Sequence, residues 1–227
     1  NGANANNPGS SAYVSGNEVA STAYKVTNQA ASLALKSDKH TVQFKYSWQD
    51  IPYEYYPNQR MDMLDNEQKR INLHYLGQFD WGALDARVYR ETVDHFMDFG
   101  ADKRFWYGSN SGTGAPCTPI RFMGDPRGTC AAGMPMYTEG KTTGASVKAY
   151  VQLNPQDLLR VGGELQQYRI NDWWTPSGGG MSPGTFWNIR DGQRDRSAVF
   201  AEWEARKSAH WMTLLGLRHE QVTMDAG

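Results

Sequence analysis

Apolar and polar side chains alternate one for one over successive stretches of about ten residues, a period that fits a half-buried strand and no helix. From Thr41 to Gln49, Val42, Phe44, Tyr46 and Trp48 fall on one face and Thr41, Gln43, Lys45, Ser47 and Gln49 on the other. The split recurs with Ile71, Leu73, Tyr75 and Phe79 against Arg70, Asn72, His74 and Gln78, and with Ala145, Val147, Ala149, Val151 and Leu153 against Ser146, Lys148, Tyr150 and Gln152. The pattern predicts strands near 20–36, 39–49, 69–79, 83–98, 143–153, 157–170, 195–206 and 210–223. Phe200 falls on the wrong face of its stretch.

The connections sort into two classes. Ser37-Asp38, Asp80-Trp81-Gly82, Asn154-Pro155-Gln156 and Lys207-Ser208-Ala209 are tight, and they alternate with long segments near 50–68, 99–142 and 171–194. A soluble sandwich has no reason to gather its long loops at one end. A transmembrane barrel does, with short periplasmic turns and long extracellular loops. The expected fold is therefore all-β, an antiparallel transmembrane β-barrel segment of about eight strands. Residues 1–19 would be the remnant of an extracellular loop and 20–227 part of a barrel domain. Trp81 and Trp211 would lie in the periplasmic aromatic belt, and Trp48, Tyr53, Tyr55 and Tyr56 near the outer one.

A net charge of −1 and a mean hydropathy of −0.68 resemble those of a soluble protein. Barrel strands escape such averages, because only every second side chain meets lipid. No apolar run is long enough for a helical span. Near-neutral charge without a basic stripe argues against a nucleic-acid partner, and no G-x-x-x-x-G-K loop is present to cradle phosphate. The Asn/Gly/Ala/Ser-rich start has no charged and apolar leader, and the end lacks a final aromatic, so the expectation is a piece of a larger barrel.

Cys117 and Cys130 share the longest loop. In an exported loop a disulfide between them is favoured over metal ligation.

His95-Phe96-Met97 is the sharpest candidate for chemistry. On a strand His95 and Met97 share a face about 7 Å apart, with Phe96 on the other. Asp85, Arg87, Tyr89 and Glu91 accompany His95, while Leu84, Ala86 and Val88 accompany Phe96, so the imidazole and thioether are expected to face the lumen. That donor pair suits copper, above all Cu(I), better than oxygen-seeking cations; two ordinary lumen side chains are the alternative. Met61, Met63, Met123, Met134 and Met136 fall in expected long loops, with Met181 in another, either as soft-metal capture residues or as loop packing. Cys130 and Met134 also stand four apart.

An enzyme is not expected. Asp94 and His95 are adjacent and so face opposite ways, and His74 has no Ser or Asp partner that the sequence identifies.

Three long strings carry a family resemblance. Gln49-Asp-Ile-Pro-Tyr-Glu-Tyr-Tyr-Pro-Asn-Gln-Arg-Met-Asp-Met-Leu-Asp65, His95-Phe-Met-Asp-Phe-Gly-Ala-Asp-Lys-Arg-Phe-Trp-Tyr107 and Asp172-Trp-Trp-Thr-Pro-Ser-Gly-Gly-Gly-Met-Ser-Pro-Gly-Thr-Phe-Trp-Asn188 resemble the TonB-dependent copper receptor of Gram-negative outer membranes. The resemblance implies a closed barrel of about 22 strands with an N-terminal plug. It implies copper as cargo, outer-membrane lipid as surroundings and the TonB complex as energy-supplying partner. It also implies a copper site joining a plug Cys-x-x-x-Met to a wall His-x-Met, matched here by His95 and Met97. The plug motif and the TonB box lie outside this chain, and Cys130 and Met134 do not match the plug by position. A siderophore receptor of the same architecture, or a barrel that binds partners without transport, are the alternatives; the first lacks a basic mouth for an anionic chelate.

Overall fold

Each alternating stretch forms a strand that pairs antiparallel with the strand before it. The computed structural model describes residues 17, 19, 21–57, 59, 61–98, 135–175 and 184–227. Its strands are β1 (Tyr24–Lys36), β2 (His40–Glu54), β3 (Asp62–Phe79), β4 (Gly82–Asp98), β5 (Met136–Asn154), β6 (Asp157–Trp174), β7 (Phe186–Ser208) and β8 (Trp211–Asp225). They make one sheet in the order β1 to β8. The fold is all-β and antiparallel, as the period requires.

Partners across a ladder share a face, so the register follows one surface from strand to strand. Leu33, Phe44, Leu73, Val88, Ala145 and Leu165 are successive partners, and so are Leu35, Val42, Tyr75, Ala86 and Val147. One residue along, Lys45, Asn72, Tyr89, Gly144, Gln166 and Arg196 define the opposite, polar face. The apolar face is bare: Leu33, Val88, Leu165, Val199 and Leu217 are 63%, 54%, 61%, 62% and 79% exposed. Among the described residues only Ile51, Met63, Ala198 and Ala205 are buried hydrophobics, so the sheet has no apolar interior of its own.

The polar face neutralises itself. Arg160 bridges Glu202 (2.6 Å) and Glu204 (2.5 Å), Glu164 accepts from Arg196 (3.3 Å) and Arg218 (2.9 Å), and Arg70 pairs with Glu91.

Short turns occupy one edge of the sheet. Two residues, Asp80 and Trp81, join β3 to β4, and Pro155 and Gln156 join β5 to β6. In the latter the Asn154 side-chain oxygen accepts from the amides of Gln156 (2.9 Å) and Asp157 (3.0 Å), which fixes the turn. The strand ends at Glu54, Asp62, Asp98, Met136, Trp174 and Phe186 lie at the other edge.

At that edge the strands run further than the sequence predicts. β2 continues to Glu54, β3 starts at Asp62, β5 at Met136 and β7 at Phe186, inside segments expected as loops. The reason is physical. Beyond the apolar band both faces are polar, as at Lys69, Thr92, Lys141 and Arg169, so the ladder persists where the period-two signal disappears.

Phe200 does lie on the polar face, opposite Gly162, with the Arg218 guanidinium 5.9 Å from its ring centroid. A Cβ on Gly162 would strike that ring. Gly144 likewise leaves room for the Tyr89 ring, whose hydroxyl accepts from Gln166 (2.9 Å). Aromatic cover over a strand glycine is thus built twice. Gly144→Val should displace Tyr89 and destabilise the fold by about 1–3 kcal/mol. Urea titration of the full-length protein, read by heat-modifiable gel migration, checks this; an unchanged midpoint would show that Tyr89 has somewhere else to go.

Candidate functional site

β4 ends by presenting His95 and Met97 on the polar face and Phe96 on the apolar one, because Phe96 keeps the parity of Leu84, Ala86 and Val88. Before it on that side come Arg90, Thr92 and Asp94, so the tip of β4 stands clear of the apolar band.

The register then gathers sulfur around Met97. Its partner on β3 is Met63 and its partner on β5 is Met136, so three thioethers lie at one level across three strands. Met63 and Met136 are expected in loops from the sequence; both belong to strands. Met136 shares the polar face with Met97 through an unbroken register. Beside Met63 the ladder shifts, with a bulge between Met63 and Asp65 that breaks strict alternation, and Met63 is 5% exposed. The next partners in the row are Trp174 on β6 and Phe186 on β7. Met61 immediately precedes β3. Met123, Met134, Met181, Cys117 and Cys130 lie outside the described residues.

One step below, His95 is flanked by Asn66 and Thr138. His95 Nδ1 is 3.0 Å from the Asn66 side-chain oxygen, which fits an Nδ1–H donor to that carbonyl. This tautomer leaves the Nε2 lone pair free, the form a metal-binding imidazole needs. Thr138 donates to Asp172 (2.6 Å), whose other oxygen accepts from Asn188 (2.5 Å). Both Asp172 oxygens are therefore occupied, and the carboxylate braces β5, β6 and β7 at this level. The connection before β3 is braced as well: the Tyr56 amide donates to Asp62 (2.8 Å), a residue with no exposed surface. Burial, with Glu54 and then Asp62 adding to it, pushes the Tyr56 phenol up, so it stays neutral at physiological pH.

The arrangement offers one imidazole nitrogen and at least two thioethers, a donor set for a soft ion. Among the described residues no group of three or more His, Cys, Asp and Glu side chains gathers to hold a metal, so a harder oxygen cage is not present there. Asn66, Thr138, Asp172 and Trp174 escape sequence reasoning, because only the inter-strand register brings them beside His95 and Met136.

His74 does find a carboxylate that the sequence does not identify: its Nε2 is 2.8 Å from Asp85. Among the described residues no serine hydroxyl is hydrogen-bonded to the pair.

No family model and no curated protein matches the sequence. Among solved structures, one titled "Copper transporter OprC" is similar, with a TM-score of 0.67 and 15% sequence identity over 88% of this chain and 28% of that chain. The likeness is one of fold, and the chain spans just over a quarter of the length of that transporter.

Replacing Asn66 by Leu removes the acceptor that holds the His95 ring. Affinity for Ag(I), a redox-inert probe of thioether and imidazole sites, should fall roughly 10–100-fold in the full-length protein. Unchanged affinity in competition with a chelator would show that the ring does not depend on Asn66.

Proposed function

We propose that this chain is part of an outer-membrane receptor that takes up copper, with His95, Met97 and Met136 as wall ligands and Met63 beside them. The observation that carries the reading is a division of labour within one sheet. One face is an exposed apolar band bounded by polar residues, which calls for lipid. The other face, at the long-loop edge, brings His95, Met97 and Met136 together. Its likeness in fold to a solved copper transporter supports the same conclusion.

The lumen reading rests on the polar face being the inner one. There the Nε2 of His95 and the sulfurs of Met97 and Met136 would replace part of the water shell of Cu(I), whose soft character matches thioether donors. Further ligands would come from a plug outside this chain, and the TonB complex would supply the energy for release. No bond in the cargo is made or broken, so the chain has no catalytic residue in this reading.

Copper as a bare ion is favoured over an anionic chelate by the charge of the polar face. Among the described residues Arg70, Arg160, Arg196 and Arg218 are each taken up by a carboxylate, which lowers the positive charge that the polar face offers an anionic siderophore. Cys117 and Cys130 are proposed to form a disulfide in the exported loop. Thiol labelling without reductant should find neither free; labelling of both would favour ligand thiolates.

The test uses the full-length receptor. His95→Ala with Met97→Ala should lower Cu(I) affinity about a hundredfold, and Met136→Leu about tenfold, with heat-modifiable migration retained. Wild-type affinity in the double variant would place the metal elsewhere. A normal double variant together with a weakened Met136→Leu would move the site to β5.

A further inference from the structure

The outward side of the same strand tips carries a second constellation that metal uptake does not use. Phe96, Tyr137, Trp173 and Trp187 are successive partners on β4, β5, β6 and β7. Their rings form a continuous ladder, with centroids 4.4, 5.4 and 5.4 Å apart. Arg190 extends it with its guanidinium 5.4 Å from the Trp187 centroid. β7 has two register shifts against β6 between Ile170 and Trp173, and the two cancel in parity. Trp187 is thereby kept on the face of Val199 and Ala201.

The height of the ladder decides what it meets. Phe96 stands eight residues beyond Val88, the last large apolar residue on that face of β4, which is roughly 26 Å along the strand and roughly 20 Å above the band at barrel tilt. An interfacial aromatic girdle sits at the edge of the band, and that level is occupied here by Trp48, level with Lys69 and Thr92. The ladder is therefore too high for a girdle. Tyr137 and Trp187 are nonetheless 37% and 40% exposed.

The rows between band and ladder are polar in a set order. At the band edge stand the exposed cations Arg90 and Lys141. Lys69 and Arg169, in neighbouring positions, are taken up by Glu67 (2.6 Å) and Asp195 (2.5 Å), whereas Arg90 and Lys141 form no ion pair with a described residue. Above them come the exposed carboxylates Asp94 and Glu139, which are partners across the β4–β5 ladder. Below them an apolar groove crosses the band over Leu73, Ala86, Val88, Ala145 and Leu165.

We propose that this outward strip, Arg90 and Lys141 with the Phe96–Tyr137–Trp173–Trp187 ladder above them, binds the phosphorylated core saccharide of an outer-leaflet glycolipid. The proposal rests on the outer-membrane reading but not on copper. Each layer matches one part of such a molecule. Acyl chains meet the apolar groove, and headgroup phosphates meet Arg90 and Lys141. Sugar hydroxyls donate to Asp94 and Glu139. Sugar C–H groups pack along the exposed rim of the aromatic ladder, because the stacked rings turn most of their faces to one another. A protein partner would leave the phosphate-level cations without a role.

The experiment takes the full-length receptor in detergent and two probes: phosphorylated core oligosaccharide freed by mild acid, and deep-rough lipopolysaccharide, which keeps the lipid phosphates but lacks the outer sugars. Calorimetric titration should show the wild type binding both. Tyr137→Ala with Trp173→Ala should weaken the oligosaccharide at least about tenfold and leave the deep-rough lipid unchanged, while Trp173→Phe keeps most of the affinity. Arg90→Gln with Lys141→Gln should weaken the deep-rough lipid at least about tenfold and the oligosaccharide, which has lost the lipid phosphates, much less; an unchanged deep-rough affinity also overturns the proposal. Equal oligosaccharide affinity in the alanine variant and the wild type overturns the proposal, as does a wild type that ignores the oligosaccharide. Cross-linking of two copies through Tyr137 and Trp187, without saccharide binding, would assign the ladder to self-association and also overturn it. Ag(I) binding should not change in the Arg90→Gln with Lys141→Gln preparation, whose side chains lie outside the ladder. A protein that fractionates away from the outer membrane fails the membrane reading itself, a result distinct from an outer-membrane protein that binds no saccharide.

Discussion

Register is the constraint on which the rest depends. Among the described residues the sheet has almost no buried apolar core, so its integrity comes from an antiparallel ladder that runs through all eight strands and from side-chain pairs on its two faces. Because partners share a face, one register assigns both the apolar face and the polar face that carries His95 and Met97. A slip of one residue in β4 would exchange the faces of Met97 and Phe96, putting an aromatic in place of a thioether on the polar face. Two-residue turns such as Asp80-Trp81, and the Asn154 turn, guard against that slip at one edge. At the other edge the aromatic stacks and the Thr138–Asp172–Asn188 bridge do the same.

That dependence explains what could be read in the sequence. The face of every residue within the band follows from a period of two, so Val42 to Trp48, Ile71 to Phe79 and Ala145 to Val151 are legible, and Phe200 stands out as an exception. The upper strands are not legible, since Lys69 and Thr92 on one side and Gln68 and Val93 on the other give no apolar face to detect. Met63 and Met136 therefore look like loop residues. Their meeting with Met97 depends on pairings between residues 34 and 39 positions apart, which no local pattern encodes. Asn66 beside His95 is hidden for the same reason. The His95-Phe96-Met97 string is legible because its logic lies within one strand.

Charge on the polar face follows a second economy. A barrel wall lined by unpaired arginines would repel a cation and attract anions. Here Glu164, Glu202, Glu204 and Glu220 hold Arg160, Arg196 and Arg218 in local bridges, most of them only partly exposed. Partly exposed pairs of this kind contribute little to stability. Their effect is to flatten the field, so that in the proposed copper receptor selectivity would fall to donor softness at the His95 level and not to long-range attraction.

The two surfaces at the strand tips are mechanically one. His95, Phe96 and Met97 are consecutive, so the backbone that aims the imidazole and thioether inward is the backbone whose intervening side chain stacks outward on Tyr137. Strand ends fray when nothing but backbone pairing holds them. Each tip from β4 to β7 carries one ring of the ladder, and Met97, Met136, Trp174 and Phe186 are themselves register partners one residue away from those rings. An ordered ladder therefore fixes the spacing between Met97 and Met136 without touching either sulfur. The proposed copper site needs those donors at a defined separation, and the aromatics of the other face supply the rigidity that the polar face, with its bulge at Met63, does not.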